Sequence, residues 1–227
     1  MLTMSLTGVF LVCSIIPLLF GLWAQFKVKS TFKRYSQVPT ANGITGAQAA
    51  EAVLRNEGVQ GVGIQPVAGQ LSDHYDPRSK TLNLSEDVGV AASVAAVGVA
   101  AHEAGHAVQD ARGYKPMQIR SSLVPAASIG SQLWIFPAFI GLILGSTGLV
   151  NVGLVLFLAV VIFQLVTLPV EFDASRRALV ALEGGGLLAQ TELDGARKVL
   201  QAAALTYVAA LAASIGQLIY FFVASRR

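Results

Sequence analysis

Three windows of the chain hold no Asp, Glu, Lys or Arg: residues 1–26, 121–170 and 199–225. A helix needs about 20 apolar residues to cross the hydrocarbon core of a bilayer, and in lipid only helices and closed barrels satisfy the backbone. The windows therefore predict a mainly α membrane protein with about four transmembrane helices, over residues 6–26, 123–144, 150–168 and 203–223. The middle pair reads as a hairpin through the uncharged turn Gly145-Ser146-Thr147-Gly148-Leu149. Composition agrees, since 54% of the 227 residues are hydrophobic and 13% charged, where soluble domains carry about 25% charged residues. Pro17 predicts a kink in the first span. A signal peptide carries its positive charge ahead of the apolar core. Here Lys27, Lys29, Lys33 and Arg34 follow it, so the span is expected to stay and the positive-inside rule puts Met1 outside and Lys27 in the cytoplasm. Arg226 and Arg227 run weakly against that orientation.

The charges gather in 27–122 and 169–202, which gives five expected segments: a first span (1–26), a water-facing region (27–122), a hairpin (123–168), a helical segment (169–202) and a last span (203–227). Thr45 and Gln48 form a capping-box pattern and Gly58 a stop, so 47–56 is expected to be a short helix. The Gly-rich stretches 59–67 and 70–75, the turn Asp76-Pro77-Arg78-Ser79 and the alternating residues 80–84 predict a small antiparallel ribbon. Ser85, followed by Glu86 and Asp87, reads as the cap of a helix running on to Gly113. Its apolar part, 88–101, is fourteen residues of Ala, Val, Gly and Ser, too short for a span and suited to a buried core helix.

That helix carries Ala101-His102-Glu103-Ala104-Gly105-His106-Ala107. Histidines four apart share a helix face, so His102 and His106 can hold one metal ion while Glu103, one step round, stays free to move protons; the spacing predicts a zinc hydrolase site. The bland alternative is a charged helix end with two unrelated histidines. Cys13 is the only cysteine and lies in the first span, which excludes a disulfide within the chain and any multi-cysteine metal site. A catalytic zinc takes three protein ligands and keeps one position for water, so a third ligand must come from elsewhere. Glu171, just past the third span in Leu168-Pro169-Val170-Glu171, leads, because two crossings return the chain to the side of His102 and Pro169 suits the first turn of a helix. Asp173 would point about 200° away round the same helix and is the alternative ligand. Asp194, in Leu193-Asp194-Gly195, echoes the LDG element of site-two intramembrane proteases, although a solvated helix turn explains it as well. His74 is the only other histidine; it is a candidate donor to an oxyanion, as are Arg176 and Arg177, unless it simply packs or is solvated and the arginines pair with carboxylates.

Taken together, Ser72-Asp73-His74-Tyr75-Asp76-Pro77, His102-Glu103-Ala104-Gly105-His106-Ala107-Val108-Gln109 and Leu168-Pro169-Val170-Glu171-Phe172-Asp173-Ala174-Ser175, set in that order among four apolar spans, resemble the YugP-like family of bacterial membrane neutral zinc metallopeptidases. The resemblance covers nearly the whole chain. It implies a gluzincin-like, zincin-like α+β core and a Zn2+ cofactor. It implies a peptidase of the bacterial plasma membrane; the ligand set leads to the expectation of an endopeptidase acting on membrane-proximal or unfolded polypeptides, with His102, His106 and Glu171 on the metal and Glu103 as general base. More distantly, the chain is similar to membrane zinc proteases whose third ligand is the Glu of an ExxAD motif, but Ser175 stands where that motif has Asp, so any bond it makes to a ligand histidine carries no charge. The net charge of +3 comes without a basic-aromatic stripe, which gives no support to nucleic-acid binding. No GxxxxGK loop is present, so no ATP is expected. Oligomeric state stays open, as do two other readings: an inactive zinc-binding scaffold, and a site-two-type protease using Asp194.

Overall fold

The computed structural model describes residues 5–226; Met1, whose outward placement was expected, and Arg227 lie outside them. The described chain is a mainly α membrane protein with a small sheet. Four helical stretches are long and apolar enough to cross a bilayer: Leu6–Ser36, Lys115–Ile143, Thr147–Gly184 and Gln190–Ala224. The first, third and fourth contain an expected span and extend beyond it; the second begins ahead of the span expected over 123–144 and stops one residue short of its end. The residues divide into two compact units, one of 5–25, 118–168 and 205–226, the other of Phe26–Met117 and Pro169–Ala204.

The first unit takes the apolar parts of all four stretches. Its first helix is interrupted: α1 (Leu6–Phe10) leads through a wide π turn, Leu11–Ile15, into α2 (Ile16–Ser36). Pro17 lacks the N–H that a regular helix would offer four residues back, so the irregularity sits just ahead of it. The second stretch breaks at Trp134, between α6 (Lys115–Leu133) and α7 (Ile135–Ile143). Pro137 has no N–H for the carbonyl of Leu133, which accounts for the break. Trp134, Phe157 and Phe221 form the aromatic centre of this unit, with Ala138, Val150, Leu154 and Val161 around them. A Cβ at Gly153 would stand 2.7 Å from the Trp134 carbonyl, so glycine is what lets the third stretch, Thr147–Gly184, approach the second at its break. Phe136, Phe139, Ile143 and Val155 are exposed, which suits a surface solvated by lipid.

The second unit holds the remaining elements. Helix α3 (Gly46–Asn56) has the full capping box, with Thr45 Oγ1 accepting from Gln48 N and the Gln48 side chain accepting from Thr45 N. Strands β1 (Gly63–Val67), β2 (His74–Asp76) and β3 (Thr81–Ser85) form a sheet in the order β1-β3-β2. The expected ribbon is corrected in one respect: β2 pairs antiparallel with β3, but β1 pairs parallel with it. The cause is visible in β3, whose Thr81, Leu82, Leu84 and Ser85 are all buried; a strand enclosed on both faces takes the centre of a sheet and needs a partner on each edge.

A second correction concerns the motif helix. Ser85 opens only a single turn, α4 (Glu86–Gly89), and makes no capping bond because its hydroxyl is held by Asp73. The motif lies on α5 (Val94–Ala111), capped by Ser93, whose Oγ accepts from Ala96 N. A third correction concerns Pro169, which does not start a helix. It lies inside α8 (Thr147–Gly184), so Glu171 sits on a continuation of the third span. The last helix, α9 (Gln190–Ala224), follows a short turn.

Candidate metal centre

Fourteen of the eighteen residues of α5 are buried, most of them Ala, Val or Gly. Small side chains let neighbouring helices come close, and the tightest approach is at the motif itself. A Cβ at Gly105 would stand 2.6 Å from the Ala174 carbonyl on α8, so glycine between the two histidines is what admits the helix that bears Glu171. Ala104, Ala107, Ala174 and Ala178 are buried around this contact.

His102, His106 and Glu171 each offer a ligand atom, all within 4.8 Å of one another. Glu171 is 2% exposed. Its Oε2 lies 3.2 Å from His102 Nε2 and 3.4 Å from His106 Nε2. Tetrahedral zinc with ligands at about 2.0–2.1 Å sets donor atoms about 3.3–3.4 Å apart, so both Glu171 spacings match such a site and the His/His/Glu donor types suit the ion. The outer nitrogen of each ring is engaged. His102 Nδ1 is 3.0 Å from Ser175 Oγ, and His106 Nδ1 is 3.0 Å from Gln109 Oε1. An amide oxygen only accepts, so His106 Nδ1 carries the proton and its Nε2 turns a lone pair toward Glu171. Two acceptors facing each other demand a cation between them, either a proton or a metal ion.

The titration of His106 reflects this conflict. Burial works against its imidazolium, but the bond to Glu171 and the charges of Glu103 and Glu171 prevail, and its pKa is held above the usual imidazole range. Glu103 is 9% exposed, and Oε2 accepts from the backbone N–H of Tyr75 at 3.0 Å. Burial pushes its carboxyl up from the usual range, against the pull of His102 and His106. Tyr75 is itself fixed, its hydroxyl donating to Asp110 Oδ2 at 2.8 Å.

The other candidates lie elsewhere. Asp173 is taken up by Gln109 Nε2 and by the guanidinium groups of Arg176 and Arg177. Asp194 pairs with Arg197 at 2.9 Å, its side chain 53% exposed. His74 is exposed on β2, with Nδ1 2.8 Å from the Ser72 carbonyl. Two participants escaped the sequence reading. Gln109 stands three residues after His106, on the same helix face, and that spacing was an available signal. The Tyr75 N–H on Glu103 had none, because a main-chain donor leaves no trace in residue type.

A curated relative, "Putative membrane protease YugP" of Bacillus subtilis (strain 168), is 43% identical over 212 residues, covering 93% of this chain and 94% of the relative. No solved structure matches the chain. The family described as "Putative neutral zinc metallopeptidase" matches residues 10–226. With the HEAGH helix, Glu171 and all but the first four residues of the spans inside that match, the chain belongs to this family.

Proposed function

We propose that the chain is an integral-membrane zinc endopeptidase that hydrolyses peptide bonds of unfolded or membrane-proximal polypeptides, with His102, His106 and Glu171 holding zinc and Glu103 as general base. The observation that carries this reading is the convergence of three donor atoms while the outer nitrogens of both histidines are occupied. Zinc bound there supplies a Lewis acid for the scissile carbonyl and lowers the pKa of a water toward neutrality. Glu103 does the proton work. Its Oε2 stays on the Tyr75 N–H, so Oε1 is the oxygen that takes a proton from the attacking water and delivers it to the amine nitrogen as the C–N bond breaks. Burial makes the carboxylate a stronger base than an exposed one, which suits that task.

Strand β2 is an edge of the sheet, and an extended substrate can lie against such an edge by main-chain hydrogen bonds. The Tyr75 N–H is already spent on Glu103, so the edge offers that substrate one donor fewer. His74 remains the candidate oxyanion donor on a condition: the Ser72 carbonyl only accepts, so a neutral His74 keeps its proton on Nδ1 and has none on Nε2. It donates toward substrate only as the imidazolium.

We place residues 27–122 and 169–202 on the cytoplasmic side, on the strength of Lys27, Lys29, Lys33 and Arg34 after the first span. Membrane-impermeant thiol labelling of single cysteines at Ser36 and Ser146, in a Cys13→Ser background, checks this; labelling of the first and protection of the second in intact cells reverses it. For the site, zinc content is measured across His106→Ala, Glu171→Ala, Asp173→Ala and Asp194→Ala at saturating zinc. The first two are expected to lose the ion and the last two to keep it. If Glu171→Ala keeps it while Asp173→Ala or Asp194→Ala loses it, the third ligand is wrong. Bound zinc with no cleavage of any unfolded protein would favour a scaffold instead.

A further inference from the structure

Gln109 is wholly buried in the last turn of α5. Its Nε2 lies 2.8 Å from the Val170 carbonyl and 3.0 Å from Asp173 Oδ2. Both partners are acceptors, so the amide has one orientation: its NH2 faces α8 and its oxygen faces His106 Nδ1. A single side chain thus settles which nitrogen of His106 is protonated and grips the backbone of α8 one residue before Glu171. The Asp173 end is anchored in turn. Arg176 and Arg177 hold that carboxylate, the Arg177 guanidinium lies 5.7 Å from the centre of the Tyr114 ring, and Tyr114 N donates back to the Gln109 carbonyl at 2.9 Å. The circuit closes on the residue where it began.

We propose that Gln109 is the positioning residue of the zinc centre, joining His106 to the turn of α8 that presents Glu171; this rests on the ligand set proposed above. Only an amide serves here. A carboxylate at 109 could accept from His106 Nδ1, but it could not donate to the Val170 carbonyl and would face Asp173 with like charge. An apolar side chain of the same length fills the space and makes none of the three bonds. Loss of such a partner behind a ligand histidine weakens metal binding by roughly 10–100-fold.

The test uses the full chain in detergent, with zinc affinity read by chelator competition and the zinc-loaded histidines by 15N-edited NMR. The chain has 3 histidines, so the His106 signals can be assigned by His106→Ala. Gln109→Met is expected to bind zinc roughly 10–100-fold more weakly and to lose the slowly exchanging Nδ1–H of His106. The paired exchange Gln109→Glu with Asp173→Asn restores one donor facing one acceptor, and is expected to bind zinc more tightly than Gln109→Glu alone. Wild-type affinity with an unchanged Nδ1–H signal in Gln109→Met overturns the proposal. Should Gln109→Met lose its helical circular dichroism, the exchange pair decides: an affinity no better than Gln109→Glu alone overturns it as well. Zinc retained by His106→Ala would remove the ligand set and this inference together. Zinc lost there but unchanged in Gln109→Met removes the inference alone.

Discussion

At the scale of single residues, Glu103 is costly to the fold and suited to proton transfer. Burial raises its pKa in the zinc-free protein, so it binds a proton more readily folded than unfolded. Its stabilising contribution is fully present below the ordinary glutamate pKa of about 4.3 and is lost as pH rises through the raised value. Glu103→Gln keeps an acceptor for the Tyr75 N–H and removes the charge. At pH 7 without zinc it is expected to melt higher, by about 2–4 °C for each kcal/mol gained. The same change is expected to keep zinc and to lower peptide cleavage by roughly 10²–10⁴-fold; undiminished turnover would refute the general base. Ser175 gives a second expectation. Its hydroxyl meets His102 Nδ1 where the ExxAD motif has a carboxylate, so Ser175→Asp should make the ring more basic and tighten zinc, measured by chelator competition. The common face of His102 and His106 was legible from their spacing alone. The arrival of Glu171 rested on counting membrane crossings, and the buried Gln109 was within reach of the same helical spacing. The grip of Tyr75 on Glu103 was not, since it depends on the strand's path and not on its side chains.

Among the elements, α5 shows how far local rules reach. The capping box of α3 was legible because both partners are local. The start of α5 was not: Ser85 and Ser93 are equally good caps by type, and Asp73, twelve residues upstream of Ser85, holds the Ser85 hydroxyl. Ser93→Ala is therefore expected to cost about 1 kcal/mol, read as a lower melting temperature by circular dichroism. The mixed sheet was hidden for a similar reason, since alternation in 80–84 tells which faces are covered but not how many edges are. The same holds for Pro169, which fits the first turn of a helix by type yet lies within α8. Gly105 makes the sharper test. A Cβ there meets the Ala174 carbonyl at 2.6 Å, whereas at Gly98 it meets the Ala196 Cβ at 3.3 Å. Gly105→Ala must push α8 away, at about 1–3 kcal/mol, and carry Glu171 from the histidines. It is expected to weaken zinc binding in a chelator titration, while Gly98→Ala leaves it near wild type.

For the whole molecule, His102, His106 and Glu171 all belong to the unit formed by Phe26–Met117 and Pro169–Ala204, so a metal held by them would tie together two pieces of chain. An ion that binds only the folded state adds about 2.7 kcal/mol at a hundred times its dissociation constant. Chelation is expected to lower the melting transition of wild type and to leave His106→Ala unmoved; an equal response in both would separate zinc from the fold. The four spans were legible because charge is excluded from them over long windows, a signal that averages over many residues. That the helical segment expected over 169–202 is continuous with the spans, α8 running on past its apolar window and α9 beginning ahead of its own, was not, because composition marks where charge enters and not where a helix breaks. The division of one site between two pieces of chain also bears on synthesis. His102 and Glu171 are 69 residues apart, and at about 5–20 residues per second the ribosome needs roughly 3–14 s to travel from one codon to the other. During that interval the nascent chain displays His102, Glu103 and His106 without Glu171. The cluster of His102, His106 and Glu171 can be completed only once the hairpin between them has been made.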